Sequence, residues 1–134
     1  MFKITPVNDK KVQESICTLC GGKYMAAYLC YVMTDLETGD VMGYSQFELL
    51  KGTAYLSDLR EAPGRSDFEA MFILGRQTLN FIDLCGIHNA KADKNSGDEK
   101  LLHAIGFREN EEGELYIDLT GMFDGKCSGH KVEL

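Results

Sequence analysis

Apolar positions change rhythm several times along the chain, and each change marks an element. Phe2 to Val7 alternates as a strand does, with Ile4 between polar neighbours. Asn8 or Asp9 then offers an N-cap. The helix it opens has a predicted apolar stripe of Val12, Ile16, Leu19 and Cys20 and stops at Gly21-Gly22. Ala26 to Leu36 reads as a long strand, Glu37-Thr38-Gly39-Asp40 as a turn, and Val41 to Leu50 as the next strand. Lys51-Gly52 leads into Thr53 to Leu59, so three antiparallel strands follow one another through short hairpins.

Helical spacing takes over at Ser66-x-x-Glu69, a capping-box pattern. Phe68, Met71, Phe72, Gly75, Leu79 and Ile82 follow at that spacing up to Cys85-Gly86, and Phe68, Met71 and Phe72 are expected in the core. Ile87 to Ala92 is short enough for a buried strand. Ser96-x-x-Glu99 repeats the capping-box pattern and opens a helix through Leu101, Leu102 and Ile105 that Gly106 ends. Phe107 to Glu109, a Glu111-Glu112-Gly113 turn and Glu114 to Leu119 close with a hairpin; residues 121–134 are expected to form a loosely held tail. The predicted order is β-α-β-β-β-α-β-α-β-β, one mixed α+β domain spanning 1–134. Its sheet is mostly antiparallel, with one parallel pair around the Ser66–Cys85 helix.

Composition narrows the function. A chain of 134 residues is one domain's worth, and 44% hydrophobic with 26% charged residues excludes a disordered class. Fourteen basic against 21 acidic residues leave a net charge of −7, which repels a nucleic-acid backbone and suits a cationic or amine-bearing partner. The longest apolar run, Tyr24 to Met33, falls far short of the roughly 18 residues of a membrane span. The start of the chain turns polar at once, so no secretory segment is expected, and five cysteines fit free thiols in a reducing cytoplasm. Cys17-x-x-Cys20 and Cys127-x-x-His130 have the paired close spacing of a four-ligand zinc site, so a zinc-stabilised interaction protein is one reading.

Two segments carry a family resemblance. Asn95-Ser96-Gly97-Asp98-Glu99-Lys100-Leu101-Leu102-His103-Ala104-Ile105-Gly106-Phe107 resembles the N-x-x-A-x-x-x-Y-x-x-x-G-F segment of the GNAT superfamily of acetyl-CoA-dependent N-acetyltransferases, matching at Asn95, Gly106 and Phe107. Tyr55 to Arg65 is similar to the family's fourth strand and the loop that leads into its cofactor helix. That loop in the family reads Q/R-x-x-G-x-G/A; Arg65-Ser66-Asp67-Phe68-Glu69-Ala70 matches it at Arg65 and Ala70, with Phe68 at the first glycine. Leu102 stands at the family's tyrosine, which acts as acid towards the leaving thiolate, and His103 follows it.

The resemblance implies a GNAT-like fold with helices on both faces of the sheet, and acetyl-CoA as co-substrate near Leu59, Arg60, Arg65, Ser66, Ala70 and Asn95. It further implies transfer to an amine by direct attack on a thioester held by strand amides, with Asp58 and His103 as catalytic candidates. A GNAT-like binding or regulatory module without catalysis, paired as a homodimer, is the alternative that Phe68 and Leu102 favour.

Overall fold

A computed structural model describes residues 1–123. Its elements run β1 (Phe2–Pro6), α1 (Lys10–Leu19), β2 (Leu29–Asp35), β3 (Val41–Leu49), β4 (Ala54–Glu61), α2 (Phe68–Leu84), β5 (Asn89–Ala92), α3 (Glu99–Ile105), β6 (Arg108–Glu109) and β7 (Leu115–Asp118). The predicted order of ten elements stands. One seven-stranded sheet holds all the strands in the order β1-β2-β3-β4-β5-β7-β6, and every neighbouring pair is antiparallel except β4 with β5.

Side chains alternate across β3 and assign the helices to faces. Ser45 Oγ lies 2.7 Å from Thr78 Oγ1 of α2, and a Cβ on Gly43 would meet Met71 of α2. Gln46, one step along from Ser45, points to the other face and bonds Gln13 of α1. The large core lies on the α2 and α3 face, with Met33, Phe47, Leu56, Leu74, Ile82, Leu102 and Phe107 among its buried members. A smaller cluster of Ile16, Cys17, Cys30 and Tyr44 lies under α1.

Three local expectations are corrected. The inward face of α1 is Gln13, Ile16 and Cys17, while Val12 and Leu19 are exposed. Asp67 and not Ser66 caps α2, its carboxylate accepting from the Ala70 amide at 3.1 Å. The residue before α3 is Asp98, and Ser96 is instead buried, its hydroxyl donating to Leu56 O and accepting from the Asp93 amide. The serine lies one residue ahead of the true N-cap in α2 and two ahead of it in α3.

Met122 and Phe123 pack against the larger core; residues 124–134, which include Cys127 and His130, lie outside the described residues. Among the described residues no helix is long and apolar enough to cross a membrane.

Candidate active site

The site begins at an irregularity in β4. Gln46 pairs with Asp58 but Phe47 with Leu56, so Ser57 is the extra residue of a β-bulge, which bends the strand and raises its twist. The parallel pairing of β4 with β5 covers only Ala54–Leu56 against Ala90–Ala92. Past that point β5 ends, the chain turns at Asp93–Asn95, and it returns to β4 at a single bridge from Gly97 to Leu59. The Leu59 amide donates to Ser96 O at 2.6 Å there. Gly97 is required: a Cβ would fall 2.5 Å from Leu59 O.

A cleft of about 620 Å³ opens at this divergence, at the carboxyl ends of two parallel strands, where α/β sheets commonly hold ligands. β4 supplies Leu59, Arg60 and Glu61 to its wall; the start of α2 supplies Ser66, Phe68 and Met71. Lys94, Asn95 and Asp98 come from the β5–α3 turn, and Cys20 from the end of α1. Phe68 is half exposed over the cleft and not in the core as expected; Phe72 is half-buried with Arg76 over its ring, and Met71 is buried.

The start of α2 is an anion site by geometry, since first-turn amides have no intrahelical acceptor. Among the described residues the Ser66, Phe68 and Glu69 amides have no partner. Two other amides are taken by the protein's own carboxylates: Asp67 N donates to Glu61 Oε2 at 2.6 Å and Ala70 N to Asp67. The end of the helix can therefore hydrogen-bond an anion, but three acidic side chains surround it.

The predicted site residues divide. Leu59, Arg60, Ser66 and Asn95 line the cleft, and Ala70 lies buried in the first turn beside it. Arg65 is turned away, bonding Asp35 at 3.0 Å with Asp40 at 4.0 Å, which ties the β2–β3 hairpin to the loop before α2. The backbone bond to Asp35 from Glu37, and then Arg65, hold that carboxyl below the usual carboxylate range. His103 is exposed on α3 outside the cleft, while Leu102 is fully buried.

Asp58 is buried, and both of its oxygens are engaged: Oδ2 accepts from Gln46 Nε2 at 2.8 Å and Oδ1 from Arg60 Nε at 3.0 Å. Gln46 was invisible as a site residue because a polar side chain inside a strand carries no pattern signal. Its Oε1 accepts from Gln13 Nε2 and the Met25 amide, each at 3.0 Å, and its Nε2 also donates to Lys23 O at 2.8 Å. Tyr44 lies on the same face; its hydroxyl is buried without a partner among the described residues, and burial, then the Asp58 charge, push its pKa up.

Thiol chemistry is quiet here. Burial, then the neighbouring Cys17, push the Cys20 thiol up to about 11, so it is not a thiolate nucleophile at neutral pH. Cys17 is buried under α1, and no group of three or more metal-ligating side chains gathers among the described residues.

Solved structures share this architecture, and three of them are typical. The IAA acetyltransferase from Bacillus cereus superposes with a TM-score of 0.69 at 16% identity, over 89% of this chain and 100% of that one. The ribosomal-protein-S18-alanine N-acetyltransferase from Escherichia coli gives 0.68 at 12%, over 100% of both chains. A Bacillus subtilis acetyltransferase in complex with CoA gives 0.69 at 12%, over 89% of this chain and 99% of that one. This is the GNAT acetyltransferase fold. At such identities the likeness is one of fold, and no family model and no curated protein matches the sequence. In this chain Leu102, where the sequence resemblance expects a proton donor, is a buried aliphatic residue, and Arg65 is paired away from the cleft.

Proposed function

We propose that the chain is an acyl-CoA-dependent N-acyltransferase, acetyl being the proposed acyl group and a small-molecule or protein amine the acceptor. One observation carries the reading: the cleft between the diverging parallel strands abuts unpartnered amides at the start of a 17-residue helix. The Ser66, Phe68 and Glu69 amides would bond phosphate oxygens, helped by the positive end of the α2 dipole. Phe68, Met71 and Leu101 give the adjoining wall an apolar lining for the thiol arm of the co-substrate.

Acyl-CoA supplies an activated acyl group, and the amine lone pair adds to its carbonyl carbon while the carbon–sulfur bond breaks. Proximity carries most of the rate, because the two reactants share one cleft. Asp58 is buried, paired with Arg60 and not part of the cleft lining, so water takes the proton that the amine loses. With Leu102 on α3, the sulfur leaves as thiolate and is protonated by solvent. Glu61 and Asp98 in the wall, and a net charge of −7, favour a cationic amine. A cytoplasmic location fits the thiols.

A GNAT-fold binding module without catalysis is the second reading, favoured by the Leu59 amide. That strand donor, which would otherwise be free to polarise a thioester carbonyl, is satisfied by Ser96 O. Release of free thiol from acetyl-CoA in the presence of polyamines, amino acids and lysine peptides separates the two. Amine-dependent release supports transfer; binding of acetyl-CoA with no release supports the silent module.

A further inference from the structure

We propose that Arg60 is the anion clamp of the cleft, binding a carboxylate or phosphate oxygen of the ligand, with Asp58 and Gln46 as the positioning residues behind it. Only the source of that oxygen rests on the acyltransferase reading; the clamp does not.

The argument starts with charge. The α2 end offers amides but is ringed by Glu61 of β4, Asp67 and Glu69, so positive charge for an anion comes from the cationic side chains of the cleft lining. Arg60 and Lys94 are the cations there. Lys94 is loosely held, its side chain 65% exposed and its Nζ 3.9 Å from Glu109. Arg60 is fixed: Nε donates to Asp58 and Nη2 to Asn95 O at 2.8 Å, which leaves Nη1 without a partner among the described residues. A guanidinium held by two bonds and one third exposed has already lost its rotamer freedom, so an incoming anion does not bear that cost.

Behind Arg60 lies a chain of bonds with no slack. The Asp58 side chain is 6% exposed and is held from the other side by Gln46, whose polar atoms are satisfied by α1 and by the loop that follows it. A buried carboxylate that merely paired with Arg60 would be weak evidence for a site. Here the same arginine reaches forward to the Asn95 carbonyl at the mouth of the cleft. Asp58 thus orients a fork whose third nitrogen remains available.

Calorimetric titration of the full chain tests this with acetyl-CoA, CoA and pyrophosphate, and with alanine against alaninamide on the acceptor side. Arg60→Met should weaken binding of an anionic probe by ~10- to 100-fold, the loss of one charged hydrogen bond. Loss for CoA and pyrophosphate assigns the oxygen to phosphate; loss for alanine but not alaninamide assigns it to an acceptor carboxylate. Arg60→Lys, which keeps the charge and the fold but not the fork, should lie between wild type and Arg60→Met. Arg65→Met should bind as wild type does. Asp58→Ala, which leaves the fork unheld, should also weaken binding of the anionic probe.

Unchanged anion affinity in both Arg60 variants, an equal loss in Arg65→Met, wild-type binding by Asp58→Ala, or no anionic probe bound by wild type would each overturn the clamp. The two readings fail separately. Acetyl-CoA bound equally by wild type and Arg60→Met, with alanine also unaffected, ends the clamp and leaves the transferase. Arg60-dependent binding of pyrophosphate or alanine without acetyl-CoA affinity does the reverse.

Discussion

Gln46 Nε2 donates to the buried carboxylate of Asp58 across 2.8 Å, joining β3 to β4 one residue beyond the Ser57 bulge. The same glutamine accepts from Gln13 and from the Met25 amide, so one side chain holds α1, the loop after it and the cleft strand in register. Gln46→Ala would leave Asp58, Gln13 and two loop backbone groups short of partners. The expected cost is about 3 kcal/mol of stability, because orphaned buried polar groups keep their full desolvation penalty. Urea unfolding checks it, with a shifted midpoint at unchanged slope.

The Tyr44 hydroxyl is buried without a partner among the described residues and sits where Gly22 has no side chain: a Cβ there would collide with it. Tyr44→Phe removes an unsatisfied donor and should be neutral or stabilising by up to about 1 kcal/mol. Gly22→Ala should cost about 1–3 kcal/mol by overpacking, and less in the Tyr44→Phe background. A double-mutant cycle in denaturant measures that coupling; additive effects would contradict the contact.

Alkaline pH should destabilise the chain through the thiols at α1. Burial, then the neighbouring Cys17, push the Cys30 thiol from 9.0 to about 12, and Cys20 rises to about 11. The folded chain therefore keeps protons that the unfolded chain gives up first. The stabilisation is complete below pH 9, the unfolded value, and is lost as pH rises from there towards 11 and 12. Cys30→Ala should flatten that decline whatever its cost at neutral pH, as read from unfolding midpoints across the range.

Gly97→Ala places a methyl group 2.5 Å from Leu59 O and must part the bridge between the β5–α3 turn and β4. Stability should fall by about 1–3 kcal/mol. Exchange of the Leu59 amide with solvent should accelerate, because Ser96 O is its partner. Hydrogen exchange resolved at that amide checks the prediction.

Element order was legible because hydrophobic rhythm and glycine stops are local signals: Gly106 ends α3 at the position the sequence indicated. The α1 face was not. Val12 and Leu19 made an apolar stripe on paper, but the helix buries Gln13 and Cys17, since the sheet beneath it presents Gln46 and Asp58. Ser66 and Ser96 matched a capping pattern, but Asp67 caps α2, and α3 starts after Asp98 with no side-chain cap bond. Arg60, Ser66 and Asn95, named from the resemblance, line the cleft. The Asp35 partner of Arg65 and the Glu61 bond to the Asp67 amide join residues whose meeting no spacing rule encodes.

Titration of acetyl-CoA into the purified chain, followed by thermal unfolding, tests the cleft most directly. If the α2 amides hold the co-substrate, saturation near 100 times Kd stabilises the chain by about 2.7 kcal/mol through mass action. An unfolding midpoint that does not move at millimolar acetyl-CoA, with no heat of binding, would contradict the account.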